Sequence, residues 1–209
     1  MLGAAAIDNV KTTGHIPSMS KPSLRDDILA AGLEALHSRG FNATSVQDIT
    51  EAAGVPKGSF YNHFASKEEL GAAVVEQYSL RASKRRAILA DASVEPLQRI
   101  RRYFEAMIAT ARYPGAPGCL LGNFGAELSN QSPAIRERVS AAFEDWTMAL
   151  AAVIEEAQKA GKVKKGVSSE AMAAFLIDAW EGAVLRAKVV QNRAPLEAFL
   201  DMTFAKILV

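Results

Sequence analysis

The sequence predicts an all-helical protein. Apolar residues recur at three- and four-residue spacing in nearly every segment from Leu24 onward, and no stretch shows the period-two alternation of a half-buried strand. Between the periodic segments stand Ser, Thr, Gly and Pro at positions that start and stop helices.

The first element is SKPSLRDDILAAGLEALHSRG, which sets Leu24, Ile28, Leu29, Leu33 and Leu36 on one face, with Pro22 near its start and Gly40 as its stop. Thr44 followed three residues later by Gln47 forms a capping-box pattern, and Gly54 ends the short helix it opens. Pro56 starts another short helix, PKGSFYNHF. Ser66 with Glu69 then caps a much longer run from Lys67 to about Ala90. Further helices are expected at about 94–112, 119–130, 133–160, 168–191 and 195–208, separated by PGAPG, Ser132-Pro133, GKVKKG and Ala194-Pro195.

A chain of 209 residues that is 49% hydrophobic can bury a sizeable core. With 24 Lys and Arg against 23 Asp and Glu there is no global basic field, so any hold on a polyanion must come from local arrangement. Cys119 is the single cysteine, which excludes an intramolecular disulfide framework and a multi-cysteine metal site and fits a reducing cytoplasm. No metal or other cofactor is expected. The opening MLGAAAIDNVKTTGHIPSMS lacks a basic start and is broken by Asp8, so a disordered tail over 1–20 is expected rather than a signal peptide. AMAAFLIDAWEGAVL carries Asp178 and Glu181 and falls short of the roughly 18 uncharged residues of a membrane span. A soluble protein without a membrane partner is expected.

Two short helices joined by AAGVP have the form of a helix-turn-helix, in which the second helix is presented to the DNA major groove. PKGSFYNHF supports this, because it offers Lys57, Ser59, Tyr61, Asn62 and His63 around a buried pair, Phe60 and Phe64. Small and hydroxyl-bearing residues let a helix approach phosphates, and Lys, Tyr and His supply donors. Lys67 adds a charge at the next helix start. The whole segment RGFNATSVQDITEAAGVPKGSFYNHFASKEEL resembles the DNA-binding signature of TetR-family transcriptional regulators over more than 30 contiguous positions. The resemblance implies a helix-turn-helix domain over 21–66 and a helical ligand-binding and dimerisation domain over 67–209. It also implies that Thr44, Lys57, Gly58, Ser59, Tyr61, His63 and Lys67 touch DNA. Residues 1 to 70 hold six Lys or Arg and eight Asp or Glu, so the charges that face the duplex, not the total, must decide binding.

In the second half, Phe175, Leu176, Ala179, Ala183, Val184, Ala187 and Val190 line one helical stripe, and Leu196, Phe199, Leu200, Phe204 and Ile207 another. Such a pair can bury one face at home and another on a symmetry mate, giving a homodimer. Tyr103, Phe104, Met107, Phe124, Trp146 and Trp180 are candidates to line an apolar inducer pocket, with Asn123 and Glu127 as its polar groups; each is also an ordinary core position. Cys119 follows PGAPG at a helix start, where unpaired N–H groups and the helix dipole lower a thiol pKa. GCLLGNFGAEL with a later LRAKV resembles a TetR subgroup that senses electrophiles through such a cysteine and a lysine, here Lys188; the plainer reading of Cys119 is core packing.

The function these readings favour is a dimeric, one-component repressor that binds palindromic double-stranded DNA and is released by a small-molecule inducer, either an electrophile at Cys119 or a reversible apolar effector. An enzyme with Cys119 as nucleophile would need a base beside the thiol, and no histidine is expected near it, since His15 falls in the tail and His37 and His63 in the DNA-binding region. A pure adaptor would not need the exposed set around Lys57 and Tyr61.

Overall fold

The computed structural model describes residues 23–209, so the tail expected over 1–20 and the Pro22 helix start lie outside the described residues. Nine α-helices and one π-helical turn make up the regular structure of the described part. Helix α1 (Leu24–Arg39) is capped by Ser23, whose hydroxyl accepts from the Asp26 N–H while the Asp26 carboxylate takes the Ser23 N–H. Gly40 ends it, its N–H donating to Leu36 O. Helix α2 (Val46–Ala52) begins one residue later than the Thr44–Gln47 pattern predicts. Ser45 and Asp48 form the box, because the short Asp48 carboxylate reaches back to the Ser45 N–H at 2.7 Å. Thr44 instead turns inward, 1% exposed, and its hydroxyl donates to Gly40 O at 2.8 Å.

A tight turn, with Val55 N–H on Thr50 O at 3.0 Å, leads to α3 (Lys57–Tyr61). Ser66 caps α4 (Lys67–Ala90), as its sequence pattern predicts. Then come α5 (Pro96–Thr110), α6 (Leu120–Leu128), α7 (Pro133–Lys159), α8 (Ser169–Val190) and α9 (Ala194–Met202). Where a plain helix is expected to 208, the chain widens into a π turn over Thr203–Ile207.

Two cores form, and they do not divide where the sequence divides. One gathers α5, α8, α9 and much of α7, with Phe104 set between Trp180 and Phe199 at 5.2 and 4.9 Å between ring centroids. Arg99, 4% exposed, ties this bundle together by pairing with Glu156 on α7 and donating to Leu89 O at 2.9 Å on α4. The other core joins Ile28, Leu36, Ile49, Phe60 and Phe64 to Leu70 and Val74 of α4, and also to Leu120, Phe124 and Leu128 of α6. Each buried Leu or Phe contributes roughly 1.5–3 kcal/mol, so this shared core holds α6 to the first helices as well as to α7. Phe124, a candidate for the inducer pocket, belongs to this core and meets Phe41 edge-on at 5.9 Å. Phe104 is likewise core.

A candidate DNA-reading surface and an effector cavity

The reading surface is made by seating α3 on two aromatic anchors. Phe60 and Phe64 are fully buried against Ile28, Ile49 and Leu70, which leaves the opposite face of α3 outward. On it Lys57, Gly58, Tyr61 and Asn62 are exposed, and Ser59 and His63 are half-buried. Tyr61 keeps 57% of its surface although it is aromatic, held edge-on against Phe60 at 5.2 Å. A Cβ at Gly58 would meet nothing, so the small residue leaves room for an incoming backbone rather than for a neighbour in this chain. Five of the seven residues expected to touch DNA thus share one outward surface.

The other two do not. Thr44 is buried, as described above, and serves the turn between α1 and α2. Lys67 folds back on the same turn: its ammonium donates to Phe41 O at 3.0 Å and Thr44 O at 2.9 Å and sits 4.2 Å over the Phe41 ring. Burial pulls its pKa down, and nearby Glu127 partly offsets that. The ammonium is thus engaged by two carbonyls and a ring and holds the turn.

Glu127, expected in the pocket, is a second clamp. Its carboxylate accepts from the Asn42 N–H at 3.0 Å and fills the space above Gly40. Asn123 lies beside the cavity loop without lining it, its amide donating to Pro117 O at 3.0 Å.

The cavity holds about 470 Å³, within the range of small-molecule sites. Tyr103, Met107, Trp146 and Trp180 line it as expected. From α4 come Tyr78, Ser79, Ala82, Arg85 and Arg86, and from α1 comes His37. The 111–119 loop closes one side and is tied down at both ends. Arg193 donates to Ala111 O at 2.7 Å, and His37 Nε2 lies 2.9 Å from Gly118 O. Because a carbonyl only accepts, Nε2 carries the proton; burial lowers the pKa of this imidazole. The expectation that no histidine approaches Cys119 is therefore corrected: α1 and the PGAPG loop are distant in sequence and adjacent in space.

Cys119 is the N-cap of α6 and lines the cavity. Its thiol is not activated. Burial, reinforced by the negative charge of Glu181, pushes its pKa up to about 12, and the Gly122 N–H at the helix start only partly opposes this. The Tyr78 hydroxyl lies 3.7 Å from Sγ. Lys188, expected to hold a thiolate, packs its aliphatic stem beside Gly118. The charged neighbour of the thiol is an acid. Glu181 presses its carboxylate over Gly122, where any Cβ would collide, and its buried Oε1 has no hydrogen-bond partner. Burial raises this carboxyl to about 7, and Asp178 adds to the rise. Desolvation thus dominates both groups, and at Cys119 it outweighs the helix start.

His37, Tyr78, Arg85, Arg86 and Glu181 are the site residues that sequence reasoning misses. Only the α4 set carried a local signal: Tyr78, Ala82 and Arg85 recur at helical spacing within one long helix. Among the described residues no three His, Cys, Asp or Glu side chains gather to hold a metal ion, and no helix is long and apolar enough to cross a membrane.

Residues 28–74 match the family described as bacterial regulatory proteins, tetR family, and residues 96–203 match the tetracyclin repressor-like C-terminal domain. The chain is 40% identical over 193 residues to the transcriptional repressor DhaR of Mycobacterium sp. strain GP1, covering 91% of this chain and 95% of that one. It superposes on a regulatory protein TetR from Rhodobacter sphaeroides with a TM-score of 0.79 at 33% identity, covering 90% of this chain and all of the other. The reduced form of NemR from Escherichia coli gives a TM-score of 0.77 at 27% identity, over 85% of this chain and 93% of that one.

Proposed function

This chain belongs to the tetR family of bacterial regulatory proteins, a family of ligand-responsive DNA-binding repressors, and we propose that it acts as a cytoplasmic homodimer released from a near-palindromic operator by a small molecule in the α4 cavity. One observation carries this reading. Helix α4 starts at the Lys67 clamp beneath the reading surface and, about three to five turns on, walls the cavity with Tyr78, Ala82, Arg85 and Arg86.

A ligand that fits the cavity better in one setting of α4 biases the pose of α3 by that difference in affinity. His37 on Gly118 and Glu127 on Asn42 offer two further links between the cavity side and the first helices. Dimerisation is assigned to α8 and α9. Phe175, Leu185, Val189, Val190 and Met202 there are 44 to 74% exposed, around a shallow groove floored by Ala179, Gly182 and Ala183. Leu176, Ala187, Leu196 and Phe199 face the home core, so each helix has one face for each task. Phe204, part of the expected stripe, is turned toward Arg101, whose guanidinium lies 4.1 Å over its ring.

Reversible occupancy is the principal mode of release, because the resting thiol is protonated and poorly nucleophilic. Covalent modification of Cys119 is a second mode, favoured by its place in the cavity wall and by similarity to NemR, solved in a reduced form. Fluorescence anisotropy with the duplex flanking its own gene tests the whole proposal. The wild type binds with nanomolar affinity at moderate salt and Tyr61→Ala binds far more weakly; equal binding by both proteins refutes the reading surface. Equal release of wild type and Cys119→Ser by a maleimide removes the covalent mode.

A further inference from the structure

We infer that the cavity is built for an organic acid: a carboxylate held at Arg85 and Arg86, with an apolar body running along α4 toward Cys119. This rests on the proposal that the cavity is the effector site and names the chemical class it takes.

The wall is one-sided in charge. Arg85, Arg86 and Arg112 line it, and no Asp or Glu does. Among the described residues neither Arg85 nor Arg86 has an ion pair or a hydrogen-bonded partner, although both are half-buried and both guanidinium charges reach the Tyr103 phenol. In the same structure Arg99, Arg138 and Arg39 each have a carboxylate. Two adjacent cations beside a largely apolar cavity repel each other, and a bidentate carboxylate relieves that repulsion better than water does. Neighbouring wall residues add two free donors: the Trp146 indole N–H, which can only donate, and the Ser79 hydroxyl, which can also accept, are buried without a partner in the protein. Such groups call for an acceptor.

The layout also sets a length. Tyr78, which touches the Cys119 sulfur, and Arg85 are seven residues apart on one helix, a rise of roughly 10 Å. Met107, Trp146 and Trp180 supply the apolar walls, so a short aliphatic or aryl chain ending in a carboxylate spans the space. The acid and thiol ends are therefore separate subsites.

The test compares acids with their neutral amides on the full-length dimer. Benzoate, 3-phenylpropanoate and octanoate, each beside its primary amide, are titrated calorimetrically into wild type, Arg85→Gln/Arg86→Gln and Arg85→Lys/Arg86→Lys, with circular dichroism to check folding. At least one acid is expected to bind the wild type about ten-fold or more tightly than its amide. The Gln pair abolishes that preference by weakening acid binding far more than amide binding, and the Lys pair restores part of it. Equal affinities of acid and amide, an acid preference that survives in the folded Gln pair, or no measurable binding by any acid overturns the inference. Operator release, read in parallel by anisotropy, separates this outcome from failure of the effector reading. If an acid binds through the arginines but leaves DNA bound, the site takes acids and is not the inducer site; if amides release DNA as well as acids do, the effector site stands and the acid inference fails.

Discussion

The candidate reading surface and the α4 cavity are two ways of building a site from helices. At the reading surface every component comes from α3 and the residues just after it, seated by two phenylalanines of the same segment. The cavity draws on α1, α4, α5, α6, α7, α8, α9 and a loop, and no single segment contributes enough to recognise it alone. The second depends on packing, and its chemistry follows burial: the same helix N-terminus that lowers the pKa of an exposed thiol fails to do so for Cys119, because desolvation and Glu181 outweigh it.

The sharpest way to break the comparison is to separate the two copies of the reading surface. Ala183→Glu places a charge in the α8–α9 groove and should give monomers by sedimentation, with operator affinity down more than about a hundred-fold because each half-site alone gains too little. A dimer that survives moves the interface off α8. Next in size is Glu181. Its folded-state carboxyl sits near 7 against an ordinary 4.5, so between those values the native state holds a proton that the unfolded chain has lost. Stability therefore falls as pH rises through that window, by up to about 3 kcal/mol, and the loss is complete above it. Glu181→Gln should lack this fall, so urea melts at pH 5 and pH 8 should show the variant gaining on the wild type at the higher pH.

The thiol offers a third measure. A pKa of about 12 against an ordinary 9.0 leaves about a thousand-fold less thiolate at neutral pH. Higher intrinsic nucleophilicity recovers part of this, for a net slowing of roughly thirty-fold. Maleimide labelling should accelerate close to ten-fold per pH unit from 7 to 9 and should be faster in Glu181→Gln; a plateau near pH 8 would mean an activated thiol after all.

The smallest effects sharpen the roles of two residues that the sequence treats alike. Tyr61→Ala should weaken operator binding about ten-fold and leave the melting temperature unchanged, since Tyr61 is 57% exposed. Lys67→Ala should instead lower stability by about 2 kcal/mol through loss of two charged hydrogen bonds, with the slope of affinity against salt unchanged. A slope reduced by one phosphate contact would return Lys67 to the DNA face.

Local pattern accounts for much of the agreement between sequence and structure. Ser66 and Glu69, Gly40 and Gly54, Pro133 and Pro195 mark helix ends because capping and breaking depend on residues within one turn of each other. The Thr44–Gln47 box misses by one residue because Ser45–Asp48 competes for the same helix start and the tertiary turn claims Thr44. Phe60, Phe64 and Tyr61 sort correctly into anchors and an exposed ring because a five-residue helix has only one inside.

By itself, then, the sequence determined the all-helical class, the order of the helices, the reading helix and four of the cavity's aromatic and apolar walls, since these follow from short-range periodicity and residue chemistry. Only the tertiary structure decided that α6 joins the core of the first helices, that Lys67 and Glu127 hold the turn after α1, that His37 reaches the PGAPG loop, and that burial, with Glu181 rather than Lys188 as the charged neighbour, raises the Cys119 pKa. Those outcomes turn on desolvation and on contacts between residues up to 85 positions apart, and both depend on how far a side chain lies from water and from partners that adjacent letters of the chain do not specify.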